Sequence, residues 1–272
     1  MLTMVARPPE QSTTSPDDVV EIRSVSKRYG RGARVTSVFE DLSLDIRRGS
    51  FTTVVGPSGC GKSTLLNLLG GFEAPTEGRI VFEGAEVSAP APDRLMVFQG
   101  APAALFPWLS AGRNVEFGVS QAHRKWPAAQ RKEATRRALT LVGLWEHRGK
   151  TPAQLSGGMQ QRLQLARALA IDPGVLLMDE PFGALDAQTR ETLSAELVRI
   201  WQGTQPRKTI VFITHDIDEA IRLGTRVVVM APEKGIVGDF DAERFGFDDG
   251  IEQAGYGELR STVRELLGRG AL

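Results

Sequence analysis

Cysteine is nearly absent. Cys60 is the only one in 272 residues, so no intrachain disulfide can form, which fits a reducing compartment. Charge of one sign is not in excess either, because Lys plus Arg and Asp plus Glu each number 33. Nucleic-acid binders usually carry a basic surplus, so the balance argues against such a partner, while leaving room for a local basic patch. No apolar run approaches the roughly 18 residues that span a bilayer as a helix, and no internal repeat is visible. The first 18 residues are rich in Pro, Ser, Thr and Asp and lack the apolar core of a signal peptide. They read as a disordered leader. An activity at a membrane would therefore need another chain as its anchor.

What is present is an ordinary globular composition, 41% apolar and 24% charged, enough for a full core. Val19–Val25 and Phe39–Ile46 alternate apolar and polar residues, as half-buried strands do. Phe51–Val55 is a short apolar strand, followed at once by a glycine-rich loop and an apolar helix, Ser63–Leu69. Gly78–Phe82 and Leu95–Phe98 read as strands. From Ala101 to Leu155 helical patterns replace strands, and Ala134, Ala138, Leu141 and Val142 mark one helical face that Gly143 can end. Met159, Leu163, Ala166 and Ala170 mark another. Val175–Met178 and Thr209–Ile213 are continuous apolar runs of the buried parallel kind. Asp186–Trp201 and Asp216–Leu223 read as helices and Arg226–Met230 as a strand. After Gly238 the chain looks acidic and irregular, until an amphipathic helix at Leu259–Leu267. The expectation is an α/β core with a helical insertion.

Three motifs carry chemistry. Gly56-Pro57-Ser58-Gly59-Cys60-Gly61-Lys62-Ser63 matches G-x-x-x-x-G-K-[ST] between a strand and a helix, the context that gives the pattern its meaning. Its glycines let backbone N–H groups wrap anionic oxygens, and the following helix adds the positive end of its dipole. Lys62 can reach β- and γ-phosphates, and the Ser63 hydroxyl can ligate Mg²⁺. Val175–Asp179 ends an apolar strand on Asp179 and Glu180, which places two acids at the carboxyl edge of the sheet. Asp179 suits Mg²⁺, and Glu180 suits the proton of an attacking water. Ser156-Gly157-Gly158 opens a helix and offers a second phosphate site. One triphosphate does not need two such sites in one chain, so the loop is best explained as serving the nucleotide of another subunit. A plain serine N-cap also fits these residues taken alone.

Together these residues resemble the ATP-binding cassette (ABC) family over about Val19 to Val237. The resemblance implies a P-loop NTPase with a RecA-like core, an N-terminal antiparallel β subdomain and an inserted α-helical subdomain. It divides the chain into a leader (1–18), an ATPase domain (19–238, with the helical subdomain at about 101–158) and a tail (239–272). It implies that ATP lies against Tyr29, which stacks on adenine, and against the loop from Gly56 through Thr64. Gln99 would sense Mg²⁺ and the attacking water. Ser156, Gly157, Gly158 and Asp186 would face the partner's ATP across a head-to-tail homodimer, and His215 would contact the γ-phosphate. Each has a plainer fit: Tyr29 as a strand-end aromatic, Gln99 as a polar strand terminus, His215 as a helix N-terminal residue beside Asp216.

Leu105-Phe106-Pro107-Trp108-Leu109, Asn114-Val115, Asp179–Asp186 and Asp218-Glu219-Ala220 resemble the import cassettes of the nitrate, sulfonate and taurine branch. That branch implies a cytoplasmic-face, peripheral ATPase beneath two transmembrane permease subunits, fed by an extracytoplasmic solute-binding protein. Pro107 and Trp108 would line the permease groove, although Trp108 fits subdomain core equally well. The chain departs from the pattern in a slightly longer segment between Gln99 and Pro107, in Met159 where glutamine is usual, and in Gly224-Thr225 where Ala-Asp is usual. The competing class is a non-transport ABC ATPase of translation or DNA repair, whose tandem cassettes, zinc modules or coiled-coil insertions are not seen here.

Overall fold

A computed structural model of the protein describes residues 17–31, 34–98, 104–183, 185–203, 206–242 and 255–269. Most of the expected leader, Gln99 and Ala184 lie outside the described residues. The strands in chain order are β1 (Asp18–Arg31), β2 (Arg34–Arg47), β3 (Phe51–Val55), β4 (Glu77–Phe82), β5 (Ala85–Glu86), β6 (Arg94–Val97), β7 (Val175–Asp179), β8 (Thr209–Thr214), β9 (Arg226–Ala231) and β10 (Gly235–Asp241). The helices are α1 (Lys62–Leu69), α2 (Ala111–Ala122), α3 (Ala128–Leu141), α4 (Gly157–Ile171), α5 (Ala187–Gly203), α6 (Ile217–Leu223) and α7 (Tyr256–Arg269). The chain divides into two compact units, one formed by Met1–Ala91 with Gln205–Leu272 and the other by Pro92–Thr204.

In the first unit, an antiparallel sheet has the order β2-β1-β4-β5. Val20, Ile22, Phe39, Ile46 and Ile80 are buried on it. The alternating pattern covers only the first half of β1 and the second half of β2, but the ladder runs on to Tyr29 opposite Thr36 and beyond. An exposed ladder needs no apolar residues, so the pattern fades before the pairing does. The same unit holds β3 between β8 and β9, parallel to both. Phe51 and Phe212 pack at 6.0 Å between ring centroids.

β10 corrects the expectation of an irregular chain after Gly238, because the strand continues to Asp241, antiparallel to β9. Gly235, Gly238, Asp239 and Asp241 hide it from a hydropathy reading. The Arg226–Asp239 ion pair at 2.6 Å supplies a cross-strand contact that apolar pairing does not. α7 is longer than its apolar stripe. Leu259 and Val263 sit in one core cluster with Val55, Ile221, Val227 and Val229. Tyr256 and Arg260 both bond the Asp218 carboxylate of α6, at 2.7 and 2.9 Å.

In the second unit, β6 runs parallel to β7 with Met96 opposite Leu177. α2 buries Ala111, Val115 and Val119 at helical spacing. The buried face of α3 is rotated from the expected one. It runs through Thr135, Ala138, Leu139 and Val142, while Leu141 is 48% exposed. Gly143, at φ +69°, ends the helix as its sequence position suggested. α4 buries residues on several sides, including two glutamines, Gln161 and Gln164. That explains why its amphipathic signal is weak.

Candidate functional site

The residues of the first unit build a glycine-rich loop between a buried strand and a helix. The buried strand β3 ends at Val55, and the chain turns through Gly56–Gly61 into α1. The turn needs glycine where backbones approach closely. A Cβ on Gly56 would lie 2.6 Å from the Met230 carbonyl oxygen and 2.7 Å from the Cys60 Sγ. Gly61 sits at φ +101°, a left-handed conformation, and a Cβ there would also meet Val38 at 2.7 Å. Gly61 is the N-cap of α1 and brings no side-chain cap. The first-turn N–H groups, which have no intrahelical acceptors, are therefore left to the loop and to any anion it holds.

Lys62 is only 7% exposed. Its Nζ donates to the Gly56 carbonyl at 2.7 Å and the Pro57 carbonyl at 2.9 Å. The ammonium is thus held inside the loop, where phosphate oxygens could replace these carbonyls. Ser58, Gly59 and Ser63 are exposed, Pro57 and Thr64 half-buried. Space is open around the Cβ position of Gly59. Cys60 is fully buried, and burial pushes its thiol up, the reverse of an activated nucleophile.

β8 lies beside β3 with Val55 opposite Thr214, so Gly56 and His215 leave the same edge of neighbouring parallel strands. His215 is exposed. It stands between two anchored residues: Thr214 Oγ1 donates to Glu219 at 2.5 Å, and the Asp216 carboxylate caps α6 by accepting from the Glu219 N–H at 3.1 Å. Tyr29, at the far end of β1, is 42% exposed, and its hydroxyl donates to Glu73 Oε2 at 2.5 Å.

The second unit gathers the other motif residues. Asp179 ends β7 and is half-buried. Glu180 follows at φ +40°, in the left-handed region. Such a conformation in a non-glycine residue costs about 1–3 kcal/mol and tends to occur where function holds it. The next carbonyl, Pro181 O, accepts from the buried Gln161 amide at 2.6 Å, tying the Glu180 turn to α4. At the start of α4, Ser156 is an exposed N-cap whose Oγ accepts from the Met159 N–H at 3.3 Å. The plain cap reading is therefore correct as far as it goes. The N–H groups of Gly157 and Gly158, by their place in the first turn, stay without intrahelical acceptors.

A Cβ on Gly158 would meet Thr189 at 3.2 Å. The Thr189 N–H in turn donates to Asp186 Oδ1 at 3.0 Å and holds that exposed carboxyl below the usual range. Thr189 thus stands against Gly158 with its side chain and against Asp186 with its N–H. Gln164 donates to the carbonyl of Phe98, the residue before Gln99, at 3.2 Å.

Three contributors take no role in the motif chemistry read from the sequence. Glu73 holds Tyr29 from 44 positions away, Gln161 grips the Glu180 turn from α4, and Glu219 locks Thr214 five positions before it. Among the described residues no group of three His, Cys, Asp or Glu could hold a metal ion.

Trp108 is 74% exposed, which excludes the reading of it as subdomain core. It lies tilted against Phe106 at 5.7 Å between ring centroids, and Phe106 packs edge-on against Phe117 at 4.8 Å. An aromatic patch on the second unit results.

A family model described as ABC transporter matches residues 39–183. The nitrate import ATP-binding protein NrtD of Synechococcus elongatus is 40% identical over 272 residues, 98% of this chain and 97% of its own length. The bicarbonate transport ATP-binding protein CmpD of a Synechocystis species is 46% identical over 225 residues, covering 83% of this chain and 77% of that one. The taurine import ATP-binding protein TauB of Roseobacter denitrificans is 47% identical over 218 residues, 79% of each chain. Among solved structures, the dimeric post-hydrolysis ATP-binding cassette MJ0796 bound to ADP and Pi aligns with a TM-score of 0.70 at 30% identity, over 82% of this chain and 98% of that one. The cassette cbiO1 of Clostridium perfringens aligns with a TM-score of 0.74 at 26% identity, over 84% of this chain and 90% of that one.

Proposed function

We infer function from family membership: the chain belongs to the ABC transporter ATP-binding proteins. It is an ATP-binding and ATP-hydrolysing subunit. We propose that it drives import of a small solute of the nitrate, bicarbonate, sulfonate or taurine kind through partner permease subunits. The relatives' names, all transport or import ATP-binding proteins, support this over a role in translation or DNA repair. Among the described residues no helix is long and apolar enough to cross a membrane. A peripheral place on the cytoplasmic face, beneath the permease, accords with that, and an extracytoplasmic binding protein would deliver the solute.

The proposed mechanism assigns each group a task. The loop Gly56–Thr64 binds the triphosphate, with Lys62 stabilising charge on the β- and γ-phosphates. Tyr29 takes the adenine. Ser63, Asp179 and Gln99 would hold Mg²⁺, which would supply positive charge to offset that of the phosphates. Glu180 orients the attacking water and accepts its proton, while His215 contacts the γ-phosphate. Ser156, Gly157, Gly158 and Asp186 of a second copy close the site, so hydrolysis follows dimerisation. The dimeric form of a structural relative supports this arrangement.

The observation that carries the reading is the buried Lys62 ammonium lying on the carbonyls of its own loop. Lys62→Ala removes that charge, and ATP affinity measured by calorimetry should fall about ten- to a hundredfold, the range for bonds to charged groups. Undiminished ATP binding would sink the assignment.

The segment at about 101–158, which includes α2 and α3, is assigned as the helical subdomain facing the permease. Its exposed aromatic patch is suited to receive an apolar helix. Trp108→Ala should leave ATPase activity of the isolated chain near wild type and weaken co-purification with the permease by about tenfold or more, as for an exposed aromatic hot spot. Unchanged assembly would remove Trp108 from the interface.

A further inference from the structure

Beside the phosphate loop, Tyr29 is locked together with three side chains of the first unit, Lys27, Asn67 and Glu73, that have no part in the chemistry assigned so far. Glu73 is their hub. Its Oε2 accepts from the Tyr29 hydroxyl at 2.5 Å and pairs with Lys27 Nζ at 2.9 Å. Its Oε1 accepts from Asn67 Nδ2 at 2.9 Å. Lys27 is buried. Its Nζ also donates to the Ala74 carbonyl at 2.9 Å and lies 4.8 Å from the centre of the Tyr29 ring. Burial alone would push the Glu73 carboxyl up, yet the bonds from Tyr29, Lys27 and Asn67 outweigh it and hold the group below the usual carboxylate range. Burial and the neighbouring carboxylate raise the Tyr29 phenol.

We infer that Glu73 is a positioning residue for the nucleotide base: it fixes the Tyr29 ring through the phenol and, through Asn67, ties that platform to the helix that begins at Lys62. The inference rests on the reading of this chain as an ATP-binding protein with Tyr29 against the adenine.

A tyrosine at a strand end with 42% of its surface exposed has ring rotamers to lose when a base stacks on it. Anchoring the hydroxyl before binding removes that ordering cost from the binding step. Lys27 covers one face of the ring by a cation–π contact and leaves the base the uncovered surface. Asn67 and Lys62 share α1, so base platform and phosphate loop are held by one rigid element.

The geometry predicts a defect confined to the base. ATP and inorganic tripolyphosphate are titrated by calorimetry into the full chain, as wild type, Tyr29→Phe, Glu73→Ala and Lys62→Ala. Tyr29→Phe keeps the ring and leaves Glu73 with Lys27 and Asn67, which guards against a variant that merely unfolds. Tyr29→Phe and Glu73→Ala should weaken ATP binding about three- to tenfold, the range for one lost hydrogen bond, with tripolyphosphate binding unchanged. Equal weakening of both probes would show a general support of the loop and overturn the inference, as would ATP binding unchanged in both variants. Lys62→Ala tests the underlying reading separately, since it should weaken both probes. If it weakens neither, the phosphate assignment itself has failed.

Discussion

Glu180→Gln should reduce ATP turnover by about 10²- to 10⁴-fold, the usual worth of a general base, while ATP binding by the single chain stays within about twofold of wild type. The amide has the shape of the carboxylate but cannot take a proton from water at neutral pH. On the proposed assignment binding rests on the loop Gly56–Thr64 and Tyr29, which the substitution does not touch. With hydrolysis blocked, ATP should accumulate in a closed dimer visible by size-exclusion chromatography. The fold should tolerate the change, because the left-handed backbone at φ +40° is no harder for glutamine than for glutamate. Steady-state turnover and calorimetry on the same sample make the comparison. Turnover near wild type would remove Glu180 from the role of base.

The phosphate loop was legible because its information is local. Glycines at set spacing between an apolar strand and a helix define the backbone path, and Lys62 and Ser63 follow from it. Asp179 and Glu180 were legible for the same reason, as the end of a short apolar run.

The left-handed turn at Glu180 was not, since no residue type there announces it. The grip of Gln161 on Pro181 joins positions 20 apart through a helix whose hydropathy pattern is weak. Glu73 was invisible because its partners come from β1 and from α1, and only the folded sheet brings them to one carboxylate. β10 was missed because glycine and aspartate break its alternation, although β9 still pairs with it along the strand. For Trp108 the sequence leaves an exposed groove position and the subdomain core equally open, because tryptophan is usually largely buried, and the structure leaves it in solvent.

The second large effect concerns the half of the proposed site that a second copy would supply. Ser156→Arg should abolish measurable hydrolysis, a loss of about 10²-fold or more of the kind seen when a phosphate-charge donor is removed, with ATP binding by the monomer intact. The substitution also removes the N-cap of α4, worth about 0.5–2 kcal/mol of stability. Ser156→Asp separates the two effects. Aspartate caps a helix as well as serine does and suits the helix dipole, but it sets a negative charge where the partner's γ-phosphate would lie. It should melt near wild type and still fail to hydrolyse ATP. Loss of ATP binding in step with activity would mean that Ser156 serves its own chain's nucleotide.

The most direct measurement mixes two inactive proteins. On the proposed assignment Lys62→Ala lacks the phosphate-binding lysine, and Ser156→Arg lacks the contact to the partner's phosphate. In a head-to-tail dimer of one copy of each, the intact Lys62 of one faces the intact Ser156 of the other, and one complete site is restored. ATPase activity of the mixture should therefore rise well above the sum of the separate proteins and grow with protein concentration. A mixture that gives only that sum would contradict a site shared between two copies.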